Sequence, residues 1–251
     1  MKKIPDTRLR QRYKMLTSIS TKDRSNLCAQ LAENPRGLVE EFCEAIRLVD
    51  TSYKNTEQSF HPGGRKIDPV PRGGRMYMAL FKEGPLTVPG ADGYSFRIKD
   101  YEIGPLRATG AGAKMSGAGG IDYVALSEGM PRIPILGEMK VKDDKDTFYA
   151  LVQLLCYLSE MSSKSQVDRS NRWLFGGELG YPVRWDIHIL LCDFNDRGTK
   201  GPMIDQTHRL AMAFRQGLDE HTDVSPVLGR ILCLRFRKSQ SDRALDLIWR
   251  C

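Results

Sequence analysis

The spacing of apolar positions along the chain predicts a run of helices followed by strands. Asp23 to Glu33 reads as a helix ended by Asn34-Pro35-Arg36-Gly37. From Leu38 to about Val49, the residues Leu38, Phe42, Ala45, Ile46 and Val49 recur at helical spacing and form one apolar stripe. Glu40 lies opposite that stripe, Glu41 flanks it, and Glu44 falls between. Residues 50–93 are broken repeatedly by glycine and proline, with room for a short helix near Arg75 to Phe81. Tyr94 to Lys99 alternates apolar and polar residues, the pattern of a half-exposed strand.

A glycine-rich segment, Gly104 to Gly120, leads into strands over Ile121 to Leu126 and Ile133 to Val141, joined by a turn carrying Gly129 and Pro131. Asp143, Asp144 and Asp146 then open a helix over Asp146 to Met161, since acids at a helix N-terminus cap it and suit its dipole. That helix has two faces. Phe148, Leu151, Val152, Leu155 and Leu158 make one; Asp146, Tyr149, Gln153, Tyr157 and Glu160 make the other, which faces either a site or water. Trp185 to Cys192 reads as a buried strand, Gln206 to Leu218 as a helix, and Ile231 to Arg237 and Leu245 to Trp249 as further strands. No internal repeat or clear boundary divides the chain. The expectation is a single α/β domain over residues 1–251 with helical additions.

Composition narrows the class of protein. Of 251 residues, 41% are hydrophobic and 27% charged, an ordinary globular balance. No apolar run approaches the ~20 residues that cross a bilayer, and Met1-Lys2-Lys3-Ile4-Pro5-Asp6 lacks the core of a signal peptide, so a cytoplasmic location is expected. Cys28, Cys43, Cys156, Cys192, Cys233 and Cys251 are scattered and read as reduced thiols, because close Cys-x-x-Cys spacing is missing. His61, His188, His208 and His221 are equally dispersed, and His188 reads as a sheet residue rather than a ligand. A formal net charge of +7 favours an anionic partner such as nucleic acid. The basic arm of Lys2, Lys3, Arg8, Arg10, Arg12 and Lys14 either tracks phosphates or is a solvated terminus.

The candidate chemistry lies at Gly137-Glu138-Met139-Lys140. Side chains alternate along a strand, so Glu138 and Lys140 share a face, and Asp122 lies sixteen residues before Glu138 on the preceding strand. Two carboxylates and an ammonium meeting at one strand end suit a divalent cation and a water beside it. The triplet alone carries little weight. Asp143-Asp144-Lys145 has the same spacing in a polar loop, where capping explains it. Glu138 and Lys140 instead close an apolar strand, where a charge is costly unless paired or bound to metal. The segment from Gly110 to Gly120 fails the phosphate-loop pattern: Lys114 is not preceded by glycine, Ser116 does not follow it directly, and a strand comes next. It reads as a turn or a flap that carries Lys114 and Arg107 toward a nucleic-acid backbone, or as an ordinary loop.

Asp122, Glu138-Met139-Lys140 and Gln153 together resemble the PD-(D/E)xK nuclease-like superfamily. The order of helix, strand, glycine-rich turn, two strands, helix and strand over about Leu38 to Asp193 is similar to its core. Ile121 stands where the name-giving proline would be. The resemblance implies a restriction-endonuclease-like core, a central mixed β-sheet flanked by helices. Residues 1–37 would be a basic helical extension and 194–251 a C-terminal elaboration. It implies a Mg²⁺- or Mn²⁺-dependent nuclease, an enzyme acting on DNA rather than RNA, with a homodimer supplying two sites for a double-strand cut. Asp122, Glu138 and a backbone carbonyl near Met139 would bind the cation. Lys140 would orient the attacking water, Gln153 would help orient it or a phosphate, and Glu41, with Glu44 in reserve, would be the acid that superfamily members often add from a helix. The competing expectation is a non-catalytic nucleic-acid-binding or assembly module on the same fold.

Overall fold

A computed structural model describes residues 6–52, 77, 81, 83–103, 120–142, 144–194, 197–237 and 243–251, the side chains of 49–52 excepted. The expected flap with Arg107 and Lys114, most of the helix expected near Arg75 to Phe81, and Lys2, Lys3, His61 and Asp143 lie outside the described residues.

Three helices open the fold: α1 (Arg8–Ser18), α2 (Thr21–Glu33) and α3 (Arg36–Ser52). Thr7 and Ser20 cap the first two by accepting from the backbone N–H of Arg10 and Asp23. The strands are β1 (Leu86–Val88), β2 (Tyr94–Ile103), β3 (Ile121–Ser127), β4 (Pro134–Val141), β5 (Trp185–Cys192), β6 (Leu228–Phe236) and β7 (Asp246–Arg250). Between β4 and β5 come α4 (Thr147–Met161), α5 (Lys164–Ser170) and a π-helical turn over Asn171–Phe175; α6 (Pro202–Leu218) joins β5 to β6. Asp146 caps α4 as expected, accepting from the N–H of Tyr149 at 2.9 Å.

All seven strands form one mixed sheet in chain order. Neighbours from β1 to β4 are antiparallel, β4–β5 and β5–β6 are parallel, and β6–β7 is antiparallel. Each parallel step needs a crossover, and α4 and α6 supply them. The sheet curls until its edges approach: Thr87 of β1 donates to the Arg243 carbonyl at 3.0 Å and accepts from Leu245 at 2.7 Å. The result is a near-barrel. β6 and β7 thus continue the same sheet as the expected core, while α1 and α2 pack on α4 and α6.

The curled sheet has two apolar faces. On the outer face, Val124, Leu126, Leu136, Ile187, Ile189 and Ile231 pack against the helices. On the inner face, Phe96, Tyr123, Ile135, Leu190, Leu232 and Leu234 form a second core with Tyr77 and Phe81. Burial of large side chains on both faces, each contributing about 1.5–3 kcal/mol, fixes which residues of β4 point where. Leu136 points to the helices, so Glu138 and Lys140 do as well. Gly137 points inward, under the Tyr123 ring.

None of the described helices is long and apolar enough to cross a membrane. All six cysteines are free thiols, five of them buried.

Candidate active site

Backbone pairing between β3 and β4 ends at Tyr123↔Gly137. Beyond that point Met139 has no β3 backbone partner, and its N–H donates to Oδ2 of Asp122 at 2.7 Å. In an extended strand a residue's N–H and C=O face the same edge, so the Met139 carbonyl faces the same gap as Asp122. Asp122 is partly buried and comes within hydrogen-bonding reach of the Glu138 carboxyl. The end of this one register therefore brings Asp122, Met139 and Glu138 together.

Glu138 is held from two sides. The side-chain amide of Gln153 donates to its Oε2 at 2.8 Å, and Nζ of Lys140 lies 3.6 Å from its Oε1. Glu138, Lys140 and Gln153 are all buried, at 6%, 5% and 4% exposure, so water screens these charges weakly. Burial pushes the Glu138 carboxyl well above the usual carboxylate range, and the Asp122 charge pushes it further. Asp122 rises to about 6, chiefly by burial and against the Met139 N–H and the Lys140 ammonium, which lower it. Burial alone would lower Lys140, but Glu138, Asp144 and Asp122 outweigh it and leave its ammonium above the ordinary lysine value. Lys140 is thus a fixed positive charge and donor at neutral pH, not a proton acceptor.

Two carboxylates forced together with one ammonium are a donor set that a divalent cation would relieve, since it replaces their mutual repulsion with attraction. Among the described residues no group of three or more His, Cys, Asp and Glu side chains is arranged to hold a metal ion. A cation here would rely on Asp122, Glu138, the Met139 carbonyl and waters, a set hard oxygen-seeking cations accept.

The polar face of α4 is turned away from water. Asp146 pairs with Arg24 of α2 at 2.8 Å, Gln153 holds Glu138, and Glu160 pairs with Arg10 of α1. Tyr13 of α1 packs on Tyr149 and Tyr157, with ring centroids 5.4 and 6.0 Å apart. Over its described part the basic N-terminal segment is helical, with Arg10 and Arg12 partly buried and Arg8 and Lys14 exposed. It is a docked helix whose Arg8, Arg10, Arg12 and Lys14 pair with Glu44, Glu160, Glu41 and Asp6.

Those pairs decide the helical acids. Glu41 accepts both guanidinium bonds of Arg12 at 2.6 Å, and Glu44 accepts from Arg8. Neither is brought to the carboxylate pair. Glu40 pairs with Arg36 one turn away, at 2.8 Å.

Three further residues border the site, of which only Tyr149 lies on a face that the sequence pattern aimed toward it. Asp144, within the polar decoy triplet, lies 3.5 Å from Nζ of Lys140. Tyr149 presents its ring to Lys140, 5.2 Å from Nζ to the centroid, and to Arg24 at 5.4 Å. The register Tyr101↔Tyr123, Ile103↔Ile121 sets Glu102 across from Asp122, and its charge raises Asp122 further. A like-charge pair across two strands is readable only once the register is known.

Comparison with family models, with curated proteins and with solved structures returns no match.

Proposed function

We propose that this chain is a Mg²⁺- or Mn²⁺-dependent nuclease that hydrolyses phosphodiester bonds, with DNA the favoured substrate, on a core of the PD-(D/E)xK, restriction-endonuclease-like kind. The observation that carries the reading is the meeting of Asp122 and Glu138 within hydrogen-bonding reach, beside the buried ammonium of Lys140. The order α3, β2, β3, β4, α4, β5, with β2–β4 antiparallel and β5 parallel to β4, supports the fold assignment. The net charge of +7 supports an anionic polymer as substrate.

Asp122 and Glu138, with the Met139 carbonyl, would hold the cation, which when bound supplies Lewis-acid polarisation of a phosphoryl oxygen and a more acidic water. The Lys140 ammonium donates toward the attacking water and offsets charge that develops on the phosphoryl oxygens, an effect strengthened by burial. Gln153 would fix the Glu138 carboxylate through its amide N–H and leave its own carbonyl to accept a hydrogen bond from a bound water. Glu41, expected as a further site acid, has no part in this reading because Arg12 holds it.

Purified protein incubated with Mg²⁺ or Mn²⁺ and a panel of single-stranded, double-stranded and branched DNAs, with RNA counterparts, tests the reading. Cutting of at least one DNA is expected, lost in Lys140→Ala although circular dichroism shows that variant folded. Cutting that persists in that variant removes the assignment. Salt-dependent binding with no cutting by the parent protein replaces it with a non-catalytic binding module.

A further inference from the structure

Immediately beyond Lys140 lies an open cleft of about 540 Å³, within the range of ligand-sized pockets. Its walls come from three helix N-termini and from the end of β4. Thr21 and Arg24 belong to the first turn of α2, Asp146 and Tyr149 to the start of α4, and Met203 to the start of α6. These helices have 13, 15 and 17 residues, long enough for full terminal partial charges. Ser20 and Asp146 already cap α2 and α4, so the α6 N-terminus is the one of these three ends that no side chain caps.

The side chains reinforce the helix ends. Arg24, Lys140 and Lys145 line the cleft with Asp144 and Asp146, leaving one positive charge in excess. Asp146 lies in ion-pair range of Arg24 at 2.8 Å and Asp144 of Lys140 at 3.5 Å, so Lys145 carries the excess charge. Among the described residues Arg24 Nε has no hydrogen-bond partner, nor has Asp146 Oδ2 beside it, and no side chain caps α6, where the Ile204 and Asp205 N–H groups bond the Gly201 carbonyl. Lys145 is exposed at the rim.

We infer that this cleft seats a backbone phosphate of the bound strand next to the phosphate that is cleaved, held by Arg24 and Lys145. The inference rests on the nuclease reading for the word "cleaved" alone; the phosphate site stands or falls by binding. Tyr149 links the two positions, with its ring within 5.4 Å of both the Arg24 guanidinium carbon and the Lys140 ammonium. A strand with one phosphate at the carboxylate pair would meet the cleft as its next polar contact, so the cleft sets the strand's direction across the site.

The test is fluorescence anisotropy of the full chain with labelled single-stranded and duplex DNA, in EDTA so that no cutting intervenes, over a range of salt. Lys145→Ala and Arg24→Gln should each weaken binding roughly tenfold, the size of one charge-assisted contact. Each should also reduce the slope of log affinity against log salt by about 0.7–1. Arg36→Gln, at an exposed residue on α3 outside the cleft, should change neither. If Arg24→Gln folds poorly, Lys145→Ala and Lys145→Glu, at an exposed position, carry the test alone. Parent-like affinity and slope in the Lys145 variants overturn the phosphate site, even in a protein that cuts DNA. Weakened binding in a protein that never cuts keeps the phosphate site and removes the nuclease.

Discussion

The side-chain amide of Gln153 donates to Oε2 of Glu138 at 2.8 Å, joining α4 to the end of β4 at a point where both residues are buried. That bond fixes the rotamer of a carboxylate whose other oxygen faces Lys140. Gln153→Leu removes the donor and leaves Glu138 with less compensation for burial. The expected costs are about 1–3 kcal/mol of stability and roughly 10–100-fold in metal affinity or cutting, as for other residues that orient a ligand. Denaturant unfolding and Mn²⁺ titration check the two separately; unchanged Mn²⁺ affinity would reject the orienting role.

Asp122 and Glu138 both bind protons more tightly in the folded chain than in the unfolded one, where carboxylates titrate near 4. The folded state therefore holds protons that the unfolded state releases, and stability falls as pH rises from about 4 through about 6, the value for Asp122. In EDTA at pH 8, Asp122→Asn and Glu138→Gln should each raise stability by about 1–3 kcal/mol. Mg²⁺ should raise the melting temperature of the parent and not of either variant. Thermal melts at pH 5 and pH 8, with and without Mg²⁺, read both effects; a parent more stable at pH 8 than either variant in EDTA contradicts the paired-carboxylate geometry.

Much of this arrangement was legible in the chain, for a local reason. Alternation along β4 put Glu138 and Lys140 on one face, and three- and four-residue steps along α4 put Gln153 on the polar stripe. Both are properties of a single element, so the strand limits at Trp185 and Cys192 and the α4 limits needed no tertiary information. Glu41 shows where that ends. Its place beside the apolar stripe of α3 said that it was half-buried, but its partner Arg12 comes from another helix. Glu102 depends on a β2–β3 register that shifts between Ile98 and Asp100, an irregularity no periodicity predicts. The docking of α1 was equally hidden, because its basic residues fit a phosphate-tracking arm or a solvated terminus equally well until Glu41, Glu44 and Glu160 are placed opposite them.

Gly137 is required by the ring beneath it. A Cβ built there would lie 1.9 Å from Cζ of Tyr123, whose side chain is fully buried and cannot retreat. Gly137→Ala should cost about 1–3 kcal/mol or more through overpacking. Combining it with Tyr123→Leu should cost less than the sum of the two single changes, because the leucine removes the clash. Urea unfolding of the four proteins in the cycle measures the coupling; strict additivity would show that the ring does not set the requirement.

Glu160 and Arg10 fasten α1 to α4. Burial pushes the Glu160 carboxyl up to about 7, with the Arg10 guanidinium pulling against it. Removing the guanidinium in Arg10→Ala leaves a buried carboxylate unpaired, a loss of about 3 kcal/mol at pH 8. The loss should shrink at pH 5, where Glu160 is protonated and neutral, and Glu160→Gln in the same chain should recover part of it at pH 8. Unfolding at the two pH values tests this; an equal loss at both would mean that Arg10 acts by packing alone.

His188 works in the opposite direction to the carboxylate pair. It is fully buried on the inner face of the sheet, ringed by Tyr94, Phe96 and Tyr123, with Nε2 at 3.2 Å from the Tyr94 hydroxyl and Nδ1 without a partner among the described residues. Burial, helped by the Arg230 charge, pushes it down to about 3. As pH falls below about 6.5 the unfolded chain gains a proton on this side chain that the folded chain refuses, so stability falls with pH until about 3. Between about pH 4 and 6 this slope opposes that of Asp122 and Glu138, and the parent should show a shallow profile there. His188→Gln keeps an amide within reach of the Tyr94 hydroxyl but cannot titrate. Its stability should rise as pH is lowered from 6 toward 4, and by more than that of the double variant Asp122→Asn/Glu138→Gln, in which both carboxyls are replaced by amides and His188 is intact. Matching profiles for the two variants would exclude the buried neutral histidine as the source of acid sensitivity.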